Sequence, residues 1–310
     1  MEKFLGIDVG GTNVKMALVN LNGSISSIKK FPTASLGKNN DFVASFTDVI
    51  STRLKKHPTV TRVGIGIPGT LSKDRNTIFE VPAIPQLNGV NLMESLKKEL
   101  PQINFNLEND ANAAALGEYY FPRDKIKLPA NFIFITMGTG IGGAAIINGA
   151  IFGGGDGNGM EVGHVFSRNS TLLENNIGKR GIISLAKTYL LESEDESNLD
   201  PELLTSSDLV SAAENGNRLA MEVFDTVGQI LGEALVSVIR ILDVKTIIIG
   251  GGLSSSFNFI SHSLNKTIHA HLTPYYLKDL LIKRATLANQ AGIIGAASLC
   301  FQMDPLLKVK

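Results

Sequence analysis

The sequence predicts an α/β protein built from two similar halves, and three observations carry that prediction. Apolar runs of strand length repeatedly end in glycine turns, at 10–12, 138–143 and 250–252. A segment near residue 4 recurs 128 positions later. Stretches with 3.6-residue apolar spacing lie between the strands, the alternation expected of a layered α/β chain.

Residues 4–9 (FLGIDV) form a short apolar run. Residues 14–19 (VKMALV) follow the Gly10-Gly11 turn, so the pair reads as a hairpin, and a turn at 20–23 ends it. Residues 61–67 (TRVGIGI) are a buried strand closed by Pro68-Gly69. Helical spacing runs over 91–100 up to Pro101, and 103–107 (INFNL) is the next strand. An Ala-rich helix starts at Asp110 and stops at Tyr120, before Pro122.

Residues 132–137 (FIFITM), the turn 138–143 and AAIIN at 144–148 repeat the opening hairpin. Shifted by 128, Phe4 meets Phe132, Ile7 meets Ile135 and Gly10 meets Gly138. Ala17 meets Ala145 and Asn20 meets Asn148, five identities in seventeen positions. A duplicated domain explains them; two unrelated glycine hairpins are the plain alternative. The acidic, Pro-broken stretch 192–202 reads as a solvated loop without function. Residues 206–242 make one long helix or two, and 244–249 (VKTIII) a fully buried strand. Residues 290–300 (QAGIIGAASLC) read as a small-residue helix that packs closely on a neighbour.

At 310 residues, two domains or one large one are expected. Lys+Arg and Asp+Glu balance at 29 each, which leaves no electrostatic footprint for nucleic acid or an anionic membrane. The one cysteine, Cys300, excludes a disulfide scaffold and a multi-cysteine metal site. No uncharged apolar stretch reaches the ~18 residues that span a bilayer. Asp8 breaks the first apolar run, so no signal peptide is read and a cytoplasmic protein is expected.

Glycine lets backbone N–H groups approach an oxyanion with no Cβ in the way, and a turn at a strand's end aims them at the sheet edge where α/β proteins bind ligands. Three such turns together point to phosphate handling. GTGIGG at 138–143 resembles half of a dinucleotide fingerprint, but a strand follows it, which argues against that site. Asp8 precedes the first turn. It either holds Mg²⁺ between itself and phosphate, directly or through water, or caps its own turn. Asp110 stands between a strand and a helix, so it is either an N-cap or a general base.

Together, DVGGTNVK at 8–15, LENDANAAALGE at 107–118, MGTGIGG at 137–143 and GMEVGH at 159–164 resemble the ROK family of sugar kinases and repressors. IIIGGGLS at 247–254 and AGIIGAAS at 291–298 extend the likeness over essentially the whole chain. The resemblance implies the two-lobed actin-like ATPase fold, a duplicated ribonuclease H-like architecture with mixed sheets flanked by helices and a cleft between lobes. The lobes would be 1–112 with 296–310, and 113–295.

It further implies that Asp8, Gly10, Gly11 and Thr12 hold Mg²⁺ and the transferring phosphate. Gly138, Thr139, Gly140, Gly142 and Gly143 would form a second phosphate loop. Gly250, Gly251 and Gly252 would lie by the adenosine of ATP. Asn109 would bind sugar hydroxyls and Asp110 would be the base for the 6-hydroxyl. Glu161 and His164 would bind the sugar, with Gly66 and Pro68 in the pocket wall. A homodimer with small-molecule partners only is implied.

Two departures from the family pattern stand out. Where its members carry a cysteine zinc motif, this chain has Asn175, Ile177 and Ile182, while Gly178 and Gly181 survive. Isoleucine cannot ligate zinc, so no zinc is expected, and the isoleucines are free to pack instead. The ring nitrogens of His164 are then expected to be free for sugar hydroxyls or a carbonyl. Ser184 replaces a glutamate, and Ala83 stands where asparagine is common, so the sugar stays open between glucose and an N-acetylhexosamine. A polyphosphate donor and a non-catalytic sugar-binding regulator are the other readings. A DNA-binding repressor is disfavoured by the seven residues before Asp8.

Overall fold

A computed structural model describes residues 2–37, 41–124, 126–192 and 199–302. Most of the acidic stretch at 192–202 lies outside the described residues. The chain divides into two compact units. The first comprises Met1–Leu128, Ala144–Gly159 and Asn289–Lys310, and the second Pro129–Gly143 and Met160–Ala288.

The first unit opens with β1 (Lys3–Val9), β2 (Asn13–Asn20) and β3 (Ile25–Pro32), then α1 (Phe42–Lys55) and β4 (Arg62–Ile67). A small three-stranded sheet follows from β5 (Thr70–Leu71), β6 (Thr77–Glu80) and β7 (Val90–Asn91). The helix expected over 91–100 is α2 (Leu92–Glu99), which starts at Leu92 because Asn91 caps it by accepting the Glu94 N–H. β8 (Asn104–Asn109) leads directly into α3 (Asp110–Tyr120). β9 (Phe132–Met137), β10 (Ile141–Ile147) and β11 (Ala150–Ile151) form the second glycine-turn segment. The expected turn at 138–143 is shorter than the sequence suggested, since Gly142 and Gly143 already belong to β10. Gly143 has no room for a side chain there: a Cβ would meet the Met160 carbonyl.

The second unit continues through α4 (Leu173–Ile177), α5 (Lys179–Glu192), α6 (Ser206–Glu214) and α7 (Arg218–Leu242). The stretch 206–242 is thus two helices, split where Gly216 takes φ +78°. Thr205 and Asp208 form a capping box on α6, and Asn217 caps α7. β12 (Thr246–Gly250), α8 (Phe257–His271), α9 (Pro274–Leu277) and β13 (Leu281–Arg284) follow, and α10 (Ala291–Gln302) returns to the first unit. No helix among the described residues is long and apolar enough to cross a membrane.

The two five-stranded sheets repeat one order, β3-β2-β1-β4-β8 and β11-β10-β9-β12-β13. Each has a hairpin on one side of its first strand and two later strands on the other, as a duplication requires. In the first sheet β1, β4 and β8 run parallel and in register, with Asp8 opposite Gly66, Gly66 opposite Glu108 and Ile67 opposite Asn109. Their carboxyl ends therefore form one row. α10 packs on this sheet and on α3 so closely that backbone meets backbone. A Cβ on Gly117 would sit 2.8 Å from the Ala291 carbonyl, and one on Gly295 would overlap the Ala113 carbonyl. This is the close packing that the small residues of α10 predict.

Candidate active site

In the first unit, the row of strand ends gathers Asp8, Gly66, Pro68, Asn109 and Asp110 beside the turn 10–12. The turn is fixed by its own backbone: the Gly10 N–H donates to the Asn13 carbonyl at 3.0 Å. The Thr33 hydroxyl donates to the Gly10 carbonyl at 2.5 Å, and the Thr33 N–H to Thr12 at 3.0 Å. Gly11 must be glycine, because a Cβ there would lie 2.7 Å from the Ala83 methyl.

The Asp8 carboxylate rests on the first turn of α10, where a Cβ on Gly292 would lie 2.7 Å from its carboxyl carbon. A helix start favours negative charge, and Lys15 adds a cation 3.3 Å from Oδ2. The Asp8 side chain is 18% exposed and retains access. A single carboxylate beside a turn that lacks side chains leaves room for water and phosphate oxygens, and this donor set fits Mg²⁺.

Asp110 is not the N-cap of α3. Asn109 is: its Oδ1 accepts the N–H groups of Ala111 at 2.9 Å and Asn112 at 3.3 Å. Two cap-competent residues stand side by side, and the extended backbone of Asn109 (φ −59°, ψ 144°) decides between them. Asp110 occupies the first helical position, where its Oδ1 accepts the Ala111 N–H at 2.8 Å. Asn109 is also tied to the turn after β4, with Nδ2 donating to the Gly69 carbonyl at 3.3 Å.

Sequence reasoning missed the pair behind this helix start. Glu108 is 7% exposed and points under the first turn of α3. Its Oε1 accepts the Asn109 N–H at 2.8 Å and Asn112 Nδ2 at 3.0 Å, and its Oε2 accepts Arg75 Nε at 2.9 Å. Arg75 adopts φ 57° and also donates to the Gly157 carbonyl at 2.6 Å. Asn158 binds Leu71 in both directions, at 2.9 and 2.8 Å. The glycine-rich loop 153–159 is thereby strapped to the segment 71–75. A glutamate directly after the strand read at 103–107 was the one available signal, since a carboxylate buried there needs a partner.

The second unit holds the other expected residues. The Gly138 N–H donates to the Gly140 carbonyl at 2.9 Å, and the Lys179 N–H at the start of α5 donates to the Gly138 carbonyl at 3.0 Å. A Cβ on Gly138 would meet nothing within 4 Å, so this turn faces open space, and Thr139 is exposed. Of the glycines at 250–252, the first two are required by packing against Phe134 and the Met137 carbonyl, while Gly252 is open.

Glu161 and His164 flank a short 3₁₀ turn, Val162–His164. Both His164 ring nitrogens face carboxylates, and the side chain stays 58% exposed. Nδ1 lies 3.4 Å from Glu161 Oε2, and Nε2 lies 3.5 Å from Glu174 Oε1. The cause is α4, which brings Glu174 beneath the imidazole. Burial pushes the Glu161 carboxyl above its usual range, His164 pulls against that, and the Glu174 charge adds to it. Met160, just before, takes φ 71°, a strained conformation for a side-chain-bearing residue.

Ile177 and Ile182 are fully buried, so they do pack as the missing cysteines would allow. Among the described residues, no group of three or more His, Cys, Asp or Glu side chains is placed to hold a metal ion. Ser184 is exposed on α5. Each cluster is thus held within its own unit.

Among known proteins, the family model described as the ROK family matches residues 4–303. The glucokinase of Thermotoga maritima is 30% identical over 314 residues, with 96% of each chain covered. A crystal structure of a candidate sugar kinase from Cytophaga hutchinsonii matches at TM-score 0.89 and 40% identity, covering 96% of this chain and 99% of that one. A ROK family glucokinase from Streptomyces griseus, solved with glucose and AMPPNP, matches at TM-score 0.82 and 24% identity over 96% and 99%. At that identity the likeness speaks for the fold.

Proposed function

Because the chain belongs to the ROK family, we propose that it is an ATP-dependent hexose kinase that phosphorylates the 6-hydroxyl of a glucose-like sugar, with Asp110 as general base. The observation that supports this reading is the strand-end row, in which Asp110 opens a helix at the end of β8, separated by one strand, β4, from β1 with its Asp8 and the side-chain-free turn at Gly10-Gly11. The full-length likeness to glucokinases supports the choice of acceptor.

In the proposed reaction Asp110 takes the 6-hydroxyl proton as that oxygen bonds to the γ-phosphorus. The bond to the bridging oxygen breaks and its electron pair leaves with ADP. Backbone N–H groups of the turns 10–12 and 138–140 would offset charge on the phosphoryl oxygens. Positioning and electrostatics supply most of the acceleration in such transfers. Mg²⁺, held by Asp8 directly or through water, supplies charge neutralisation when bound. Lys15 adds positive charge next to Asp8. Glu161, with its raised affinity for a proton, and His164 would meet sugar hydroxyls, and Asn109 would bind a further one. The open space at Gly252 suits the nucleoside.

A coupled ADP-release assay across hexoses and N-acetylhexosamines tests the reading and names the acceptor. Release dependent on a hexose is expected. Release with none, but product from polyphosphate, changes the donor; no product from either leaves a sugar-binding protein. Asp110→Asn should lower kcat at least about 100-fold while leaving the calorimetric sugar Kd nearly unchanged. Unchanged turnover in that variant removes Asp110 from the mechanism.

A further inference from the structure

In the second unit, Glu174 touches two elements that the sequence motifs treat separately. One carboxylate oxygen, Oε1, lies 3.5 Å from His164 Nε2. The other, Oε2, lies directly behind Gly140, where a Cβ would overlap it. The side chain is 29% exposed, well below the 58% of His164. It sits on α4, a helix of five residues, and that helix is itself anchored to the glycine turn. A Cβ on Gly178, just after α4, would lie 3.0 Å from the Thr139 carbonyl. The next residue, Lys179, donates its N–H to Gly138. The anchors of α4 are apolar: Leu173 and Ile177 are fully buried. Glu174 therefore projects from a fixed platform and has little freedom to leave its two neighbours.

We infer that Glu174 is a positioning residue for the proposed phosphoryl transfer: with one oxygen it orients His164, and with the other it backs the turn at Gly140. The inference rests on the kinase reading for its kinetic consequences, but not for its physical ones. His164 stands between two carboxylates, Glu161 on Nδ1 and Glu174 on Nε2. Removing Glu174 frees one side of the ring and lets it turn away from Glu161, the neighbouring candidate for the sugar hydroxyls. It also opens a hole behind Gly140, whose lack of a side chain leaves Glu174 as its packing partner. One side chain thus sets the geometry of a sugar-side residue and of a phosphate-side turn.

Two variants separate these contacts. Glu174→Gln keeps the length of the side chain and its packing on Gly140 but removes the charge opposite His164. Glu174→Ala removes both contacts. With glucose and Mg-ATP, Gln should raise the sugar KM about threefold and leave the nucleotide KM within about twofold, the scale of one half-exposed polar contact. Ala should raise both KM values, with kcat falling less than either KM rises. Glu174→Gln and His164→Ala should be non-additive on the sugar KM.

Hydrogen exchange without any ligand supplies the readout independent of turnover. Ala should speed exchange in both 138–143 and 162–165, and Gln only in 162–165. A purely structural residue would lower thermal stability without this split between variants and substrates. Additive effects with His164→Ala, or unchanged exchange in both segments of the Ala variant, overturn the inference. If the wild-type chain phosphorylates no sugar, the kinase reading fails, and the exchange pattern still decides the role of Glu174.

Discussion

Replacing Arg75 with methionine strips the buried Glu108 carboxylate of its only ion-pair partner recorded among the described residues, while keeping a side chain of similar reach. Breaking a buried ion pair from one side costs roughly 3–5 kcal/mol. Glu108 retains two neutral donors, the Asn109 N–H and Asn112 Nδ2, and Arg75 is 18% exposed in its side chain. Those two facts reduce the expected loss to about 2–3 kcal/mol. Glu108→Gln turns an amide donor toward the guanidinium and should cost a similar amount, about 2 kcal/mol. The double variant should cost less than the sum of the two by about 1.5 kcal/mol, because neither partner is then left charged and alone. Native-state hydrogen exchange over 104–112 reads this locally, since the Asn109 N–H is itself bound to Glu108. A loss of about 2 kcal/mol appears as roughly thirtyfold faster exchange. Because Asp110 follows this network by two residues, kcat should fall as well, about tenfold if the carboxylate is displaced by a fraction of an ångström. Exchange accelerated less than about threefold, or strictly additive variants, would refute the view that this pair fixes the start of α3.

Further outcomes can be checked independently. Glu161 has its carboxyl raised by burial, so its ionised form opposes folding and that cost is present above the raised value. Glu161→Gln should therefore be the more stable protein at neutral pH, the difference in urea midpoint vanishing as pH falls through the Glu161 range, while sugar affinity is lost. The buried Cys300 thiol is pushed up to about 12, chiefly by burial. Ellman's reagent at pH 8 should label it only at the rate of unfolding, and rapid labelling of the native protein would contradict its burial. Ile182→Ala removes a fully buried side chain from α5 and should cost about 2–5 kcal/mol in urea unfolding.

Much of this architecture is legible from local pattern, and what escapes it has a physical reason. α3 could be bounded from sequence because an Asn-Asp pair precedes an Ala run that Pro122 stops, all local signals. The closeness of α10 to its neighbours follows from its small side chains in the same way. Which of Asn109 and Asp110 caps the helix depends on one backbone angle, and both residue types suit the position. Arg75, in the turn between β5 and β6, and Glu108, in β8, are 33 residues apart and meet only through tertiary packing. The carboxylate beneath His164 comes from a five-residue helix whose placement depends on the packing of Ile177 and Leu173, not on a motif. Two of the three glycines at 250–252 serve packing, which a glycine count cannot separate from ligand contact.

The contact between α3 and α10 has a consequence for how the chain is made. The sheet carrying Asp8, and the helix α3 that Asp110 opens, are covered by a helix that begins at Ala291, while α3 ends at Tyr120. A ribosome adding roughly 5–20 residues per second needs about 10–30 s to cross that gap. During this interval the glycine faces of β1, β4 and α3, shaped to receive a backbone, stay uncovered. The second unit, complete before α10 emerges, can fold while the first waits. A nascent chain stalled before residue 291 should thus present a protease-resistant second unit joined to a sensitive first one, with chaperone binding concentrated on the uncovered sheet.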